Sequence, residues 1–295
     1  MQQALQWQAG RFSLSLHRPY VMGIVNTTPD SFSDGGRFAM RDAAIRHCEL
    51  LLEQGADMLD IGGESTRPGA QPVPLDEELR RVVPVVQAAV RLGVPVSVDT
   101  YKPAVMQAVL DAGADIINDV WALRHSDGSG LQGPQVVAGH ARCGVCLMHM
   151  HREPQTMQAA PMQGDVVPQV LSFLQQSSQS LYALGVNKAR IAVDVGIGFG
   201  KTVEQNFALL AHQRAAVPQG LAVLAGWSRK SSLAAVTQAA AQVDIEERLV
   251  PSVVAAVLAV ERGAHIVRVH DVRQTVQALQ VWQAMHSAMN KATAP

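Results

Sequence analysis

The feature that most constrains this chain is a repeated alternation. From Tyr20 onward, short apolar runs with the character of buried strands are each followed by a stretch with helical spacing. The strand segments are 20–26, 57–62, 95–99, 115–120, 144–149, 190–195, 221–226 and 264–270. The helical segments are 39–54, 76–92, 103–112, 134–142, 165–185, 203–212, 246–262 and 272–288. Strands separated by helices run parallel, because each crossover returns the chain to the same end of the sheet. About eight such units predict an α/β fold closed as a (β/α)8 TIM barrel, with a doubly wound open sheet as the alternative. Gly55, Gly93, Gly113, Gly185 and Gly263 stand where helices should end, and Thr100 is expected to cap the helix that opens at Pro103. Residues 1–18 alternate loosely through Leu5, Trp7, Phe12, Leu14 and Leu16 around Ala9-Gly10, which predicts a short N-terminal β-hairpin. The expected organisation is a hairpin over 1–18 and one barrel domain over 19–295.

The charge balance is a net -1, without a clustered basic stripe, which argues against a nucleic-acid partner. No apolar run reaches the roughly 18 residues of a membrane helix, and Met1 to Gly10 lacks the form of a signal peptide. Cys48, Cys143 and Cys146 predict a reducing, cytoplasmic setting without a disulfide framework. Cys143-Gly-Val-Cys146 has redox spacing, but Cys146 lies in the apolar run 145–148, so two small buried residues account for it better. Zinc between Cys146 and His149 is disfavoured, since strand alternation turns those side chains to opposite faces.

The polar residues fall in a pattern. Along the strands Val96 and Val98 alternate with Ser97 and Asp99, Ile191 and Val193 with Ala192 and Asp194, and Val267 and Val269 with Arg268 and His270. The branched residues suit packing under helices, which leaves the polar ones to point into the barrel. Asn26, Asp60, Asp99, Asn118, Asp194, Arg268 and His270 all stand at strand ends that lead into helices, the catalytic end of such a barrel. Buried carboxylates require partners. Asp99, Asn118 and Asp194 therefore suit a flat heterocycle rich in N–H donors, with Arg268 stacked on its face.

The loops at that end are equally particular. Asn26-Thr27-Thr28-Pro29-Asp30-Ser31-Phe32-Ser33-Asp34-Gly35-Gly36 follows the first barrel strand, with turn-forming residues and many oxygen donors. Gly62-Gly63-Glu64-Ser65-Thr66-Arg67-Pro68-Gly69 follows the second, and Thr66 and Arg67 suit an oxyanion. Gly196-Ile-Gly198-Phe199-Gly200-Lys201-Thr202 is not a nucleotide motif. A P-loop needs Gly where Val195 stands, and the dinucleotide fingerprint needs Gly where Lys201 stands. Gly226-Trp227-Ser228-Arg229-Lys230-Ser231 brings a cation to the same mouth.

These stretches together, with Ile116 to Val120, Leu147 to Met150 and Arg268 to Val272, resemble the dihydropteroate synthases of the pterin-binding family from Val21 to Val272. The resemblance implies a (β/α)8 barrel, usually a cytoplasmic homodimer, that works as a transferase of folate biosynthesis. It implies condensation of 6-hydroxymethyl-7,8-dihydropterin diphosphate with p-aminobenzoate to give 7,8-dihydropteroate and pyrophosphate, and makes the chain a sulfonamide target. It assigns the pterin ring to Asp99, Asn118, Asp194 and Lys230 with Arg268 stacking. It assigns the diphosphate to Asn26, Thr66, Arg268 and His270, with Mg2+ at Asn26. The p-aminobenzoate pocket falls to Thr66, Arg67, Pro68, Phe199, Lys230 and Ser231. Asn26, Asp34, Arg67, Lys230, Arg268 and His270 are the implied catalytic set, and the loop Thr28 to Gly36, with Phe32 and Asp34, closes over the reacting centre. Two positions depart from the family pattern: Val195 replaces a usual Pro, and His151-Arg152 replaces Gln-Gly. The competing readings are a methyltetrahydrofolate-binding methyltransferase domain, which would need neither the first loop nor Ser228-Arg229-Lys230-Ser231, and a pterin-binding relative without turnover.

Overall fold

Eight short segments rich in Val, Ile, Leu and Met are buried on both faces, as parallel strands covered by helices must be. The computed structural model describes residues 5–27, 37–67, 69–154, 156–237 and 248–292. The hairpin comes first, as β1 (Gln6–Ala9) and β2 (Phe12–Ser15). The barrel strands follow as β3 (Tyr20–Asn26), β4 (Met58–Gly62), β5 (Val96–Asp99), β6 (Ile116–Asp119) and β7 (Gly144–Met148). β8 (Ile191–Asp194), β9 (Ala222–Ala225) and β10 (Ile266–Val269) complete it. Each pairs in parallel with its neighbour, and β10 returns to β3, so the sheet is a closed eight-stranded barrel. The barrel alternative was the right one.

The surrounding helices are α1 (Arg37–Glu53), α2 (Leu75–Ala89), α3 (Pro103–Asp111), α4 (Gly133–Gly139) and α5 (Val166–Ala183). They continue as α6 (Val203–Ala211), α7 (Ser231–Val236), α8 (Leu249–Glu261) and α9 (Val272–Ala292). The short α7 was not expected from the sequence. Its six residues are too few to show a helical period. The five C-terminal glycines all take positive φ, from 77° at Gly93 to 100° at Gly113. Thr100, by contrast, does not cap α3. Lys102 is the residue before the helix, and the Thr100 hydroxyl donates 2.7 Å to Glu78 while accepting from the Lys102 amide.

Two layers of core result. Val21, Val25, Leu59, Ile61, Val96, Val98, Val145 and Val193 face outward into the helices. Met22, Met58, Ile116, Cys146, Ala192, Leu224 and Ile266 fill the barrel itself. The hairpin closes the end where strands begin. Trp7 is fully buried in the inner cluster, and its indole N–H donates 3.1 Å to the Arg190 carbonyl. Arg11 ties the hairpin tip to Asp115 at 2.8 Å. With that end plugged, the strand C-termini form the open mouth of the barrel. All three cysteines are buried thiols without disulfides. Cys146 lies inside the barrel and Cys143 outside it, while the His149 ring packs 4.9 Å from Phe173 of α5. Cys146 is therefore turned away from both Cys143 and His149, as alternation requires. No helix among the described residues is long and apolar enough to cross a membrane.

Candidate active site

The register sets the site. Asp60 lies level with Ser97, Asp99 with Asn118, Asn118 with Cys146, Met148 with Asp194, and Arg268 with Met22. One parity therefore runs round the barrel. Apolar residues occupy it at the bottom, and a carboxylate, amide or guanidinium stands at the ends of β3, β4, β5, β6, β8 and β10 above, whereas β7 ends in Met148 and β9 is apolar throughout. Asn118 and Asp119 show how sharp this is. Asn118 donates inward to Asp60 at 3.2 Å, whereas Asp119 accepts the amides of Trp121 and Leu123 at 2.7 and 2.6 Å and only closes a turn.

Arg268 is the centre of the constellation. Its Nε donates to Asp60 Oδ2 at 2.6 Å and its Nη2 to Asp99 Oδ2 at 2.7 Å. Asp60 has no exposure at all, yet its Oδ1 has no partner among the described residues, and neither has the buried Ser97 hydroxyl beside it. An unpaired buried acceptor costs about 1–3 kcal/mol, so this floor is arranged for donors that arrive with a ligand. Burial pushes the Asp99 carboxyl up to about 7 against the pull of Arg268, helped by the like charges of Asp60 and Glu78. Arg268, held between two carboxylates, is driven further into its charged form despite burial. Asp194 is raised by burial and accepts the Gly196 amide at 2.7 Å. Lys230 is lowered to about 8, first by burial, against the opposing pull of Asp194. Its ammonium sits 4.4 Å from the centre of the Phe199 ring.

His270 lies beside this group. Its backbone N–H donates to the Ser228 hydroxyl at 3.1 Å, and its Nδ1 lies 2.9 Å from that same oxygen. The hydroxyl oxygen already accepts the amide, so its hydrogen is available to Nδ1, and the imidazole proton goes to Nε2. Burial, then the cations Arg229, Arg268, Arg67 and Lys230, hold the His270 ring down at about 3. It therefore enters the site as a neutral N–H donor. Arg67 is exposed, but its charge reaches both His270 and Lys230, which puts it on the mouth side. Asn26 ends β3 opposite Gly62, at the root of the loop that carries Thr66. Ser231 opens α7 directly after Lys230. Phe32, Asp34 and Pro68 lie outside the described residues.

Lys201 had no assigned role, and its part is structural. Its ammonium is buried under the carbonyls of Gly196, Phe199 and His149, at 2.7, 3.1 and 3.3 Å. That cradle shapes the loop presenting Phe199. Gly196 is required within it, because φ is +70° and a Cβ there would meet the His149 oxygen at 1.9 Å. Asp60 was legible as a polar strand end, but nothing in the sequence tied it to Arg268. Ser228 gave no signal beyond sharing a loop with Lys230.

The arrangement is an acidic floor under a basic rim, suited to a donor-rich heterocycle carrying an anion. The pterin binding enzyme family model matches residues 22–270, which spans every one of these side chains. The dihydropteroate synthase of Neisseria meningitidis serogroup B is 46% identical over 284 residues, covering 95% of this chain and 97% of its own. The chain belongs to the dihydropteroate synthase family. Among solved structures, the Burkholderia cenocepacia dihydropteroate synthase complexed with 7,8-dihydropteroate matches at 50% identity and a TM-score of 0.86, covering 98% of this chain and 99% of its own. The Xanthomonas albilineans dihydropteroate synthase with 4-aminobenzoic acid matches at 46% and 0.87, covering 99% of this chain and 100% of its own. Membership makes the chain an enzyme that transfers a pterin group.

Proposed function

We propose that the mouth joins 6-hydroxymethyl-7,8-dihydropterin diphosphate to p-aminobenzoate, forming 7,8-dihydropteroate and pyrophosphate. The observation that carries this reading is Arg268, pinned edge-on between Asp60 and Asp99 above an Asp60 oxygen that has no partner among the described residues. With its edge nitrogens engaged, the guanidinium keeps its faces for stacking on the pterin. Asp99, Asn118 and Asp194 read the amino and amide edge of the ring, and Lys230 donates to its acceptors. Asn26, Thr66, Arg67, Arg268 and the neutral His270 take the diphosphate.

The chemistry follows from those residues. The bond between the pterin methylene and the diphosphate oxygen breaks, and its electron pair leaves with pyrophosphate. The electron-rich pterin bears the resulting positive charge on the methylene. The p-aminobenzoate nitrogen then forms the new C–N bond and gives up a proton. A neutral arylamine is nucleophilic already, so no strong base is needed, and the residues act by orientation and charge. Arg268 and His270 stabilise the leaving group from the protein side. Phe199, Thr66, Arg67, Pro68, Lys230 and Ser231 hold the aryl ring, and the loop Thr28 to Gly36 excludes water that would trap the cation. A sulfonamide carrying the same arylamine should compete there.

Mg2+ fits this donor set as an ion carried by the diphosphate. Asn26 offers one hard oxygen, and no cluster of three or more His, Cys, Asp or Glu among the described residues could cage it alone. When bound, it neutralises charge on the leaving pyrophosphate. We further propose a cytoplasmic homodimer. Three reduced thiols suit that compartment. Val250, Val254 and Leu258 form an exposed apolar row on α8, and Val281 and Met285 stand exposed on α9. Sedimentation should give twice the chain mass, and a monomer would contradict the pairing.

The test of the reaction is pyrophosphate release from the pterin diphosphate with and without p-aminobenzoate. Release that needs both, with dihydropteroate formed in equal amount, is expected. Pterin binding without release would favour a turnover-deficient relative. Methyltetrahydrofolate binding without release would favour a methyltransferase domain.

A further inference from the structure

A second cluster of charge lies just behind the mouth. The Lys102 ammonium is bound by two carboxylates, Glu64 and Glu78, and the three side chains are 8%, 7% and 1% exposed. Glu78, on α2, also accepts the Thr100 hydroxyl at 2.7 Å. Glu64 accepts the Tyr101 hydroxyl at 2.5 Å. Thr100, Tyr101 and Lys102 are the three residues directly after Asp99, and Glu64 is the second residue after the end of β4. One ammonium between two buried carboxylates leaves a net negative charge out of water, which is costly and a poor device for stability alone.

What the cluster does is fix one point of the second loop. Upstream, the Gly63 carbonyl accepts from Arg81 at 3.1 Å. Downstream, the hydrogen bonds of the described loop residues are internal, from the Arg67 amide to the Ser65 hydroxyl and from the Ala70 amide to the Arg67 carbonyl. A cavity of about 450 Å3 lies along the loop, between Thr66 and the rings of Trp121 and His125, so its flank is not packed against the barrel. Glu64 is therefore the last firm attachment before Thr66 and Arg67.

We propose that Lys102 and Tyr101 are positioning residues that anchor the second loop through Glu64, and so place Thr66 and Arg67 for the second substrate. The proposal rests on the reaction proposed above. Because the anchor follows Asp99 in the chain, the pterin site and the loop root are held by one short turn. Loosening the anchor leaves Asp99 and its ion pair in place, so the pterin ring is spared and the penalty falls on p-aminobenzoate and on the diphosphate that Thr66 and Arg67 also take.

The experiment uses the full chain with Tyr101→Phe, Lys102→Met and Lys102→Arg. The readouts are KM for p-aminobenzoate, kcat, the dissociation constant of a pterin analogue that lacks the diphosphate, and hydrogen exchange of residues 64–70. Tyr101→Phe should raise KM for p-aminobenzoate about 5- to 10-fold, the scale of one ordinary net hydrogen bond. Pterin affinity should stay within about 2-fold of wild type, a change too small to be one lost hydrogen bond. Exchange in 64–70 should quicken, and Lys102→Arg should recover much of what Lys102→Met loses. An unchanged KM in folded Tyr101→Phe, or a pterin affinity that falls in step with KM, overturns the proposal. Should Lys102→Met not fold, Tyr101→Phe decides. A wild-type protein without turnover sinks the reaction reading instead, and exchange then still decides the anchor: quickened exchange supports it and unchanged exchange overturns it.

Discussion

Asp99 carries the sharpest conflict in the molecule, a carboxylate driven toward neutrality by burial yet 2.7 Å from a guanidinium. A ligand edge rich in N–H donors resolves that conflict. Asp99→Ala is therefore expected to weaken pterin binding by about 1–3 kcal/mol, as read by calorimetry on the folded variant. Unchanged affinity would remove Asp99 from the site. The same group gives a pH signature. Asp99 lies near 7, so below that pH it takes up a proton and, in the proposed pose, would weaken as an acceptor for the pterin. Lys230 lies near 8, so above that pH it loses its charge and, in that pose, would donate less strongly to the ring. Pterin-analogue affinity should peak between about 7 and 8 and fall on both sides. Affinity flat from pH 5 to 9 would contradict these assignments. His270, near 3, stays neutral throughout and adds no inflection.

Among the elements, the strands were the most legible. Val-rich runs at period two, with polar ends of shared parity, mark the strands and the polar mouth in the sequence, whereas the choice of a closed barrel over an open sheet is decided by the pairing of β10 with β3. The roles inside the mouth were less so, because a pair such as Arg268 and Asp60 is 208 residues apart in the chain and only barrel closure joins it. Thr100 shows the opposite failure. Local grammar made it a cap, but a buried Glu78 from another helix competes for its hydroxyl. Two elements invite direct tests. Trp7 plugs the barrel floor without touching the mouth, so Trp7→Ala should cost about 3–5 kcal/mol in denaturant unfolding and leave the KM values of the surviving fold unchanged. Gly196→Ala forces a Cβ into the His149 carbonyl and should distort the Lys201 cradle. It is expected to raise KM for p-aminobenzoate through Phe199 before it affects pterin affinity.

At the scale of the whole molecule, the proposed function makes the barrel a pterin floor and leaves the second substrate to its loops. In that reaction two substrates enter and water is then kept from the cation, which requires loops that open and close. We expect ordered binding, with pterin diphosphate first. Removing residues 28–36 should spare pterin affinity but reduce turnover by orders of magnitude. Equal, tight p-aminobenzoate binding with and without pyrophosphate and Mg2+ would show a preformed pocket and end the ordering argument. The most direct test of the central claim is a crystal structure of the chain with a pterin and p-aminobenzoate. The account predicts the pterin edge on Asp99, Asn118 and Asp194 with Arg268 against its face, and the arylamine beside Phe199 and Lys230 with its nitrogen toward the pterin methylene. A pterin bound away from Asp99 and Asp194, or an arylamine whose nitrogen points out of the mouth, would contradict it.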